Sequence, residues 1–103
     1  MSENKAELVK KTLVIYGRND CVYCTKAKKL AEMFKESGSI QEIDYRNKDE
    51  VDWTREDLAK YFNMDSNYFT SVPQVGLEEE YSNGNKAIIY IGGYNQLVTS
   101  TLY

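Results

Sequence analysis

The chain has 103 residues, a net charge of −3, 42% apolar and 28% charged side chains, and no histidine. That length supports one hydrophobic core and no second one. An acidic balance without a basic stretch argues against a nucleic-acid partner, and the missing histidine removes Ser-His-Asp and Cys-His nucleophiles and imidazole-bound zinc.

Residues 1–11 are polar, without the apolar stretch of a signal peptide. They are expected to form a flexible or short helical leader, with Ala6, Leu8 and Val9 able to make one helical turn. Residues 12–103 are expected to form one domain. No apolar run reaches membrane length, so a cytoplasmic, membrane-free protein is expected.

Residues 12–17 (TLVIYG) are a β-branched and aromatic run ending at glycine, which predicts a buried strand. Arg18-Asn19-Asp20 is a polar turn. Residues 22–37 predict a helix, because Ala27, Leu30, Ala31 and Phe34 fall on one stripe and Gly38 is a natural stop. Residues 40–45 predict a second strand, and residues 47–52 a charged connection.

Thr54 predicts an N-cap, with Asp57 completing a capping box. Trp53 and Leu58 then stand at the positions of a hydrophobic staple, so the tryptophan is read as a staple rather than a ligand platform. Residues 63–70 are irregular. Pro73, the only proline, precedes a strand over 74–77, where a missing N–H is tolerable. Residues 78–80 are a solvated acidic run. Asn83-Gly84 signals a hairpin turn, and residues 87–91 (AIIYI) are its second strand. Gly92-Gly93 breaks that strand. Asn95 is expected to cap a last helix bearing Leu97, Val98 and Leu102.

The order is β-α-β-α-β-β-α. Its first half is a βαβ unit with a right-handed crossover, and its second half ends in an antiparallel hairpin. A four-stranded mixed sheet flanked by helices, an α/β fold, is expected.

Cys21 and Cys24 are the only cysteines. Three apart at the head of a helix, they lie on one face and reach the same spot. Strand, turn and Cys-x-x-Cys opening a helix is a thioredoxin-like redox context. Cys21 at the helix N-terminus gains from unpaired N–H groups and the positive dipole end, which favour the thiolate. Arg18 should help and Asp20 oppose. Cys24, one turn in, is more enclosed and would act second. Half of a metal site shared between two chains is the competing reading of such a pair.

With Cys21-Val22-Tyr23-Cys24, Ser71-Val72-Pro73 and Ile91-Gly92-Gly93-Tyr94 in this order, the sequence resembles the glutaredoxins of the thioredoxin superfamily over residues 12–103. Its Val-Tyr dipeptide, Val-Pro-Gln-Val and Gly-Gly-aromatic ending look nearest to the small phage-encoded members. The resemblance implies a thioredoxin fold and a glutathione-disulfide oxidoreductase, in which Cys21 attacks a disulfide and Cys24 resolves it. It implies a cis bond before Pro73, the one kind of peptide bond that takes this form at small cost.

It also implies a glutathione site. The backbone of Val72 would pair with the cysteinyl unit, Arg18 would bind one carboxylate, and Tyr23 would flank the tripeptide. Past Gly93, backbone N–H groups of Tyr94, Asn95 and Gln96 would hold the γ-glutamyl carboxylate, as a helix start can. Glutathione is thus expected as co-substrate, with no tightly bound cofactor and no resident metal. Clients would be disulfide-containing proteins, with a ribonucleotide reductase among them by family analogy, and the protein would act as a monomer.

Three departures stand out. Val22 replaces a frequent proline, Asn95 and Gln96 replace a frequent aspartate, and residues 49–70 are long enough for an extra turn at the cleft rim. Two other functions stay open: a thioredoxin-type reductant recycled by a flavoprotein, and a non-enzymatic iron–sulfur or metal carrier using Cys21 across a dimer.

Overall fold

The computed structural model describes residues 6–100 and 102. Its elements run β1 (Leu8–Gly17), α1 (Val22–Ser37), β2 (Glu42–Asn47), α2 (Lys48–Val51), α3 (Arg55–Phe62), a 3-10 turn (Ser66–Tyr68), β3 (Gln74–Tyr81), β4 (Lys86–Gly92) and α4 (Tyr94–Val98). The four strands form one mixed sheet in the order β2-β1-β3-β4. β1 pairs parallel with β2 and antiparallel with β3, and β3 pairs antiparallel with β4. This is the four-stranded mixed sheet flanked by helices expected from the element order, in the arrangement of the thioredoxin fold that the resemblance implies.

Alternation along β1 feeds both faces of the sheet. Leu13 and Ile15 join a cluster with Ala27, Leu30, Phe34 and Leu97, from α1 and α4. Val14 and Tyr16 point the other way, into a cluster with Trp53, Leu58, Phe62 and Phe69. A strand covered on both faces must be apolar at every position, and residues 13–17 are all buried. The helix signals hold as well. Gly38 ends α1 in the left-handed conformation at φ 87°, and Thr54 and Asp57 close a reciprocal capping box on α3. Trp53 and Leu58 are buried in one cluster, as a staple requires.

Several boundaries differ from expectation. Residues 1–5 of the expected leader lie outside the described residues. Residues 8–11 are neither frayed nor helical: they are the first part of β1, opposite the acidic run of β3, with Lys10 facing Glu80 and Lys11 facing Glu79. The run at 78–80, expected as a solvated acidic run past the end of the strand, is accordingly half-buried strand. Lysine and glutamate are weak strand formers, but opposite charges across a strand pair support each other. Lys10 Nζ also lies 3.8 Å from Glu42 and 3.9 Å from Glu80.

β2 starts at Glu42, later than expected, because Ile40 turns into the core beneath α1. The connection at 47–52 contains a one-turn helix, started by the Asn47 side group, which accepts from the Asp49 N–H. With the 3-10 turn it accounts for the length of residues 49–70. The last helix is capped at Gly93 rather than Asn95: Gln96 Oε1 accepts the Gly93 N–H at 2.9 Å. That helix ends at Val98, and Leu102 reaches the core from the turn beyond.

Candidate functional site

Three segments meet at one end of the sheet: the start of α1, the loop before β3, and the start of α4. Cys21 is the N-cap of α1, extended at φ −129° and ψ 110°. Its Sγ accepts the Cys24 N–H at 3.2 Å. This is the position an N-capping serine oxygen takes, filled here by sulfur. Cys21 and Cys24 form a disulfide with Cα atoms 5.2 Å apart. Cys21 is partly exposed and Cys24 fully buried, so a partner's sulfur can approach only the first.

Gly17 makes room for the buried member. A Cβ there would stand 2.5 Å from the Tyr45 hydroxyl and 3.2 Å from Cys24 Sγ. The same hydroxyl donates to the Arg18 carbonyl at 3.4 Å. Burial raises the Tyr45 phenol above its ordinary value, with Asp49 adding to the effect, so it remains a donor at neutral pH. Asn19 ties the turn after β1 to α2: its N–H donates to Asp49 Oδ2 at 2.7 Å, and its Oδ1 accepts from Asn47 at 2.8 Å.

The Val72–Pro73 bond is cis, and the Val72 carbonyl oxygen lies 4.0 Å from Cys21 Sγ. Gln74 braces this loop from below. It is 4% exposed, donates from Nε2 to the Ser71 carbonyl at 2.9 Å, and accepts from the Tyr90 hydroxyl. Burial lifts the Tyr90 phenol, which keeps that donor protonated.

Two clefts flank Val72. The smaller, about 310 Å³, is lined by Tyr23, Pro73, Gly93, Tyr94, Asn95 and Gln96, with Ser71 and Val72 between. The Tyr23 and Tyr94 rings stand 5.9 Å apart at its side. The larger, about 560 Å³, contains Arg18, Lys48, Trp53, Arg55 and Phe69, with residues 70–72 as one wall. Every expected site residue therefore borders the disulfide or one of these clefts. Tyr23, Val72, Pro73, Gly93, Tyr94 and Asn95 share one cleft, and Arg18 lies in the other.

Sequence reasoning missed Gly17, Tyr45, Lys48 and Gln74. Nothing local marks them, since each reaches the site through sheet pairing or reversal of the backbone. Trp53, read as a staple, is also the floor of the larger cleft. Among the described residues, no group of three or more His, Cys, Asp or Glu side chains is placed to hold a metal ion.

No family model matches the sequence. A glutaredoxin of Haemophilus influenzae is 38% identical over 74 residues, covering 70% of this chain and 79% of that protein. The solution structure of oxidised Escherichia coli glutaredoxin superposes with a TM-score of 0.59 at 27% identity, over 85% of this chain and 89% of that one. The reduced form gives a TM-score of 0.59 at 28% identity over the same shares. With the disulfide at the head of α1 and the cis proline beside it, these likenesses place the protein in the glutaredoxin family, as a thioredoxin-fold thiol–disulfide oxidoreductase.

Proposed function

We propose that this protein is a dithiol glutaredoxin whose electrons come from glutathione. In the reduced form, Cys21 is the nucleophile. The Cys24 N–H and the start of α1 favour its thiolate over the thiol. It attacks a client disulfide, bonds to one sulfur, and expels the other as a thiolate. Cys24 then loses its proton and attacks Cys21, closing the disulfide and releasing the client's second thiol. Two glutathione molecules reverse this. The first attacks Cys21 and frees Cys24. The second attacks the glutathione sulfur, giving glutathione disulfide and the Cys21 thiolate.

The observation that carries this reading is the Val72 backbone, 4.0 Å from Cys21 Sγ and between two clefts. An extended cysteinyl unit can pair with it there as one strand pairs with another. Its γ-glutamyl end then reaches the N–H groups of Tyr94 and Asn95, beside the Tyr23 ring, with Pro73 and Gly93 shaping the floor. Its other carboxylate reaches Arg18. Backbone donors at a helix start suit an anion whatever the side groups, so the missing aspartate does not remove this contact. A monomer suffices, since one molecule supplies both clefts. A reducing compartment suits a disulfide that must be reopened in each cycle. A ribonucleotide reductase is a suitable client class.

Recycling tests the reading. The oxidised protein is mixed with glutathione, glutathione reductase, NADPH and a small glutathione mixed disulfide, and NADPH loss is followed. Catalysed turnover is the expected result. Turnover only when a thioredoxin reductase replaces the glutathione system would refute the glutathione assignment and leave a thioredoxin-type reductant.

A further inference from the structure

The cleft on the Arg18 side exceeds what one carboxylate of a tripeptide needs. Three cations enter it from three elements: Arg18 from the turn after β1, Lys48 from the first residue of α2, and Arg55 from the first residue of α3. No aspartate or glutamate is among the described residues that line it, although the protein as a whole has a net charge of −3. Lys48 is fixed in place: its Nζ donates to the Trp53 carbonyl and stands 4.9 Å from the Trp53 ring. Neither Arg18 nor Arg55 has an ion-pair partner among the described residues.

The floor beneath them is apolar, with Trp53 8%, Phe69 3% and Leu58 0% exposed. Like charges gathered over such a floor repel one another, and an anion between them relieves the repulsion. Arg55 also occupies the first turn of α3, where the helix dipole disfavours a cation. Its position is therefore not explained by helix stability.

The wall of this cleft, residues 70–72, runs directly to the backbone facing Cys21. A polypeptide paired with Val72 would lie beside the cleft that Arg18 and Arg55 line. We propose that the cleft selects clients, taking acidic residues that follow the client's reactive cysteine, with Arg55 reading a charge beyond the one Arg18 can hold. The proposal rests on the glutathione reading for its direction only: with the γ-glutamyl end at Tyr94, the residues that follow a bound cysteine lie over the basic cleft.

The test uses reduced, desalted full-length protein and no glutathione, so it stands apart from the recycling assay. Three peptides carry Glu-Glu after the cysteine, Lys-Lys after it, or Glu-Glu before it. Each cysteine is held as a mixed disulfide with a chromogenic thiol. Attack by Cys21 on the peptide sulfur releases that thiol, and Cys24 then frees the peptide. The peptide with acids after the cysteine should react about tenfold faster than the lysine peptide at low ionic strength, with the gap closing as salt rises. Long-range steering by a protein of net charge −3 would favour the lysine peptide instead, so this order reports local contacts.

Arg55→Glu should erase or invert the preference. It should change the rate on a small neutral mixed disulfide by less than about twofold, since an acid in the first helical turn does not unfold α3. Equal wild-type rates on the two peptides would overturn the proposal. So would an equal advantage for acids before the cysteine, or an Arg55→Glu variant that slows every substrate alike.

Discussion

The two clefts beside Val72 differ in what they offer a ligand. On the Tyr94 side the protein offers backbone N–H groups at the start of α4, two tyrosine rings, and little room. On the Arg18 side it offers charged side groups over a buried tryptophan, and nearly twice the volume. Backbone donors are set by the path of the main chain, so substitution of side groups barely alters them. A cationic cleft is set residue by residue and can be retuned one substitution at a time. A constant co-substrate suits the first kind of surface, and clients that differ from one another suit the second.

The largest effect should come from removing the sulfur that serves both clefts. Cys21→Ser should abolish exchange with every substrate. Cys24→Ser should keep reduction of glutathione mixed disulfides and lose most reduction of protein disulfides, about tenfold or more, because no second thiol resolves the complex. Parallel assays on a glutathione mixed disulfide and a protein disulfide check this. Equal loss in both mutants would erase the assigned roles.

Next comes the backbone cleft. Gly92 has φ +125°, and a Cβ there would stand 2.9 Å from Gln96 Cγ. Gly92→Ala should cost about 1–3 kcal/mol of stability, read by denaturant melts, and should weaken glutathione binding by displacing the Gln96 brace on Gly93. Arg18→Gln should act more mildly, raising KM for glutathione several-fold, about 1 kcal/mol, with kcat little changed. If the two substitutions raised KM equally and left stability untouched, the division between backbone and side-group recognition would fail.

The smallest effect concerns pH, on the sheet face beneath the basic cleft. Burial raises the Tyr61 phenol, with the hydrogen bond to Glu78 second, and burial also raises Tyr16 against the opposing pull of Arg46. These phenols keep their protons in the folded state where the unfolded state has lost them. Above about pH 10 the native state therefore binds more protons, and stability falls as pH rises. Tyr61→Phe should flatten that fall in denaturant midpoints measured across alkaline pH. An unchanged slope would remove Tyr61 from the account.

Local rules were enough for much of this molecule. The alternation that buries β1 on both faces, the stripe and glycine stop of α1, the capping box at Thr54 and the Asn83-Gly84 turn each depend on neighbours a few residues away. The same rules misjudged residues 8–11 and 78–80. Lysine and glutamate are weak strand formers alone, and the two segments become strands only against each other. The last helix is capped at Gly93 and not at Asn95 because the Gln96 side chain, three residues on, reaches back to the Gly93 N–H.

The sequence by itself determined the chemistry and its address. Two cysteines one helical turn apart, after a strand and at a helix start, can share one spot wherever the remaining residues go, since their spacing is a property of the helix. Only the tertiary structure decided what surrounds that spot. Arg18 is far in sequence from Lys48 and Arg55, and the three converge because the end of β1 and the starts of α2 and α3 meet at the same end of the sheet. Their mutual repulsion, their aromatic floor and the wall that leads to Cys21 follow from that packing, which no window of neighbouring residues contains.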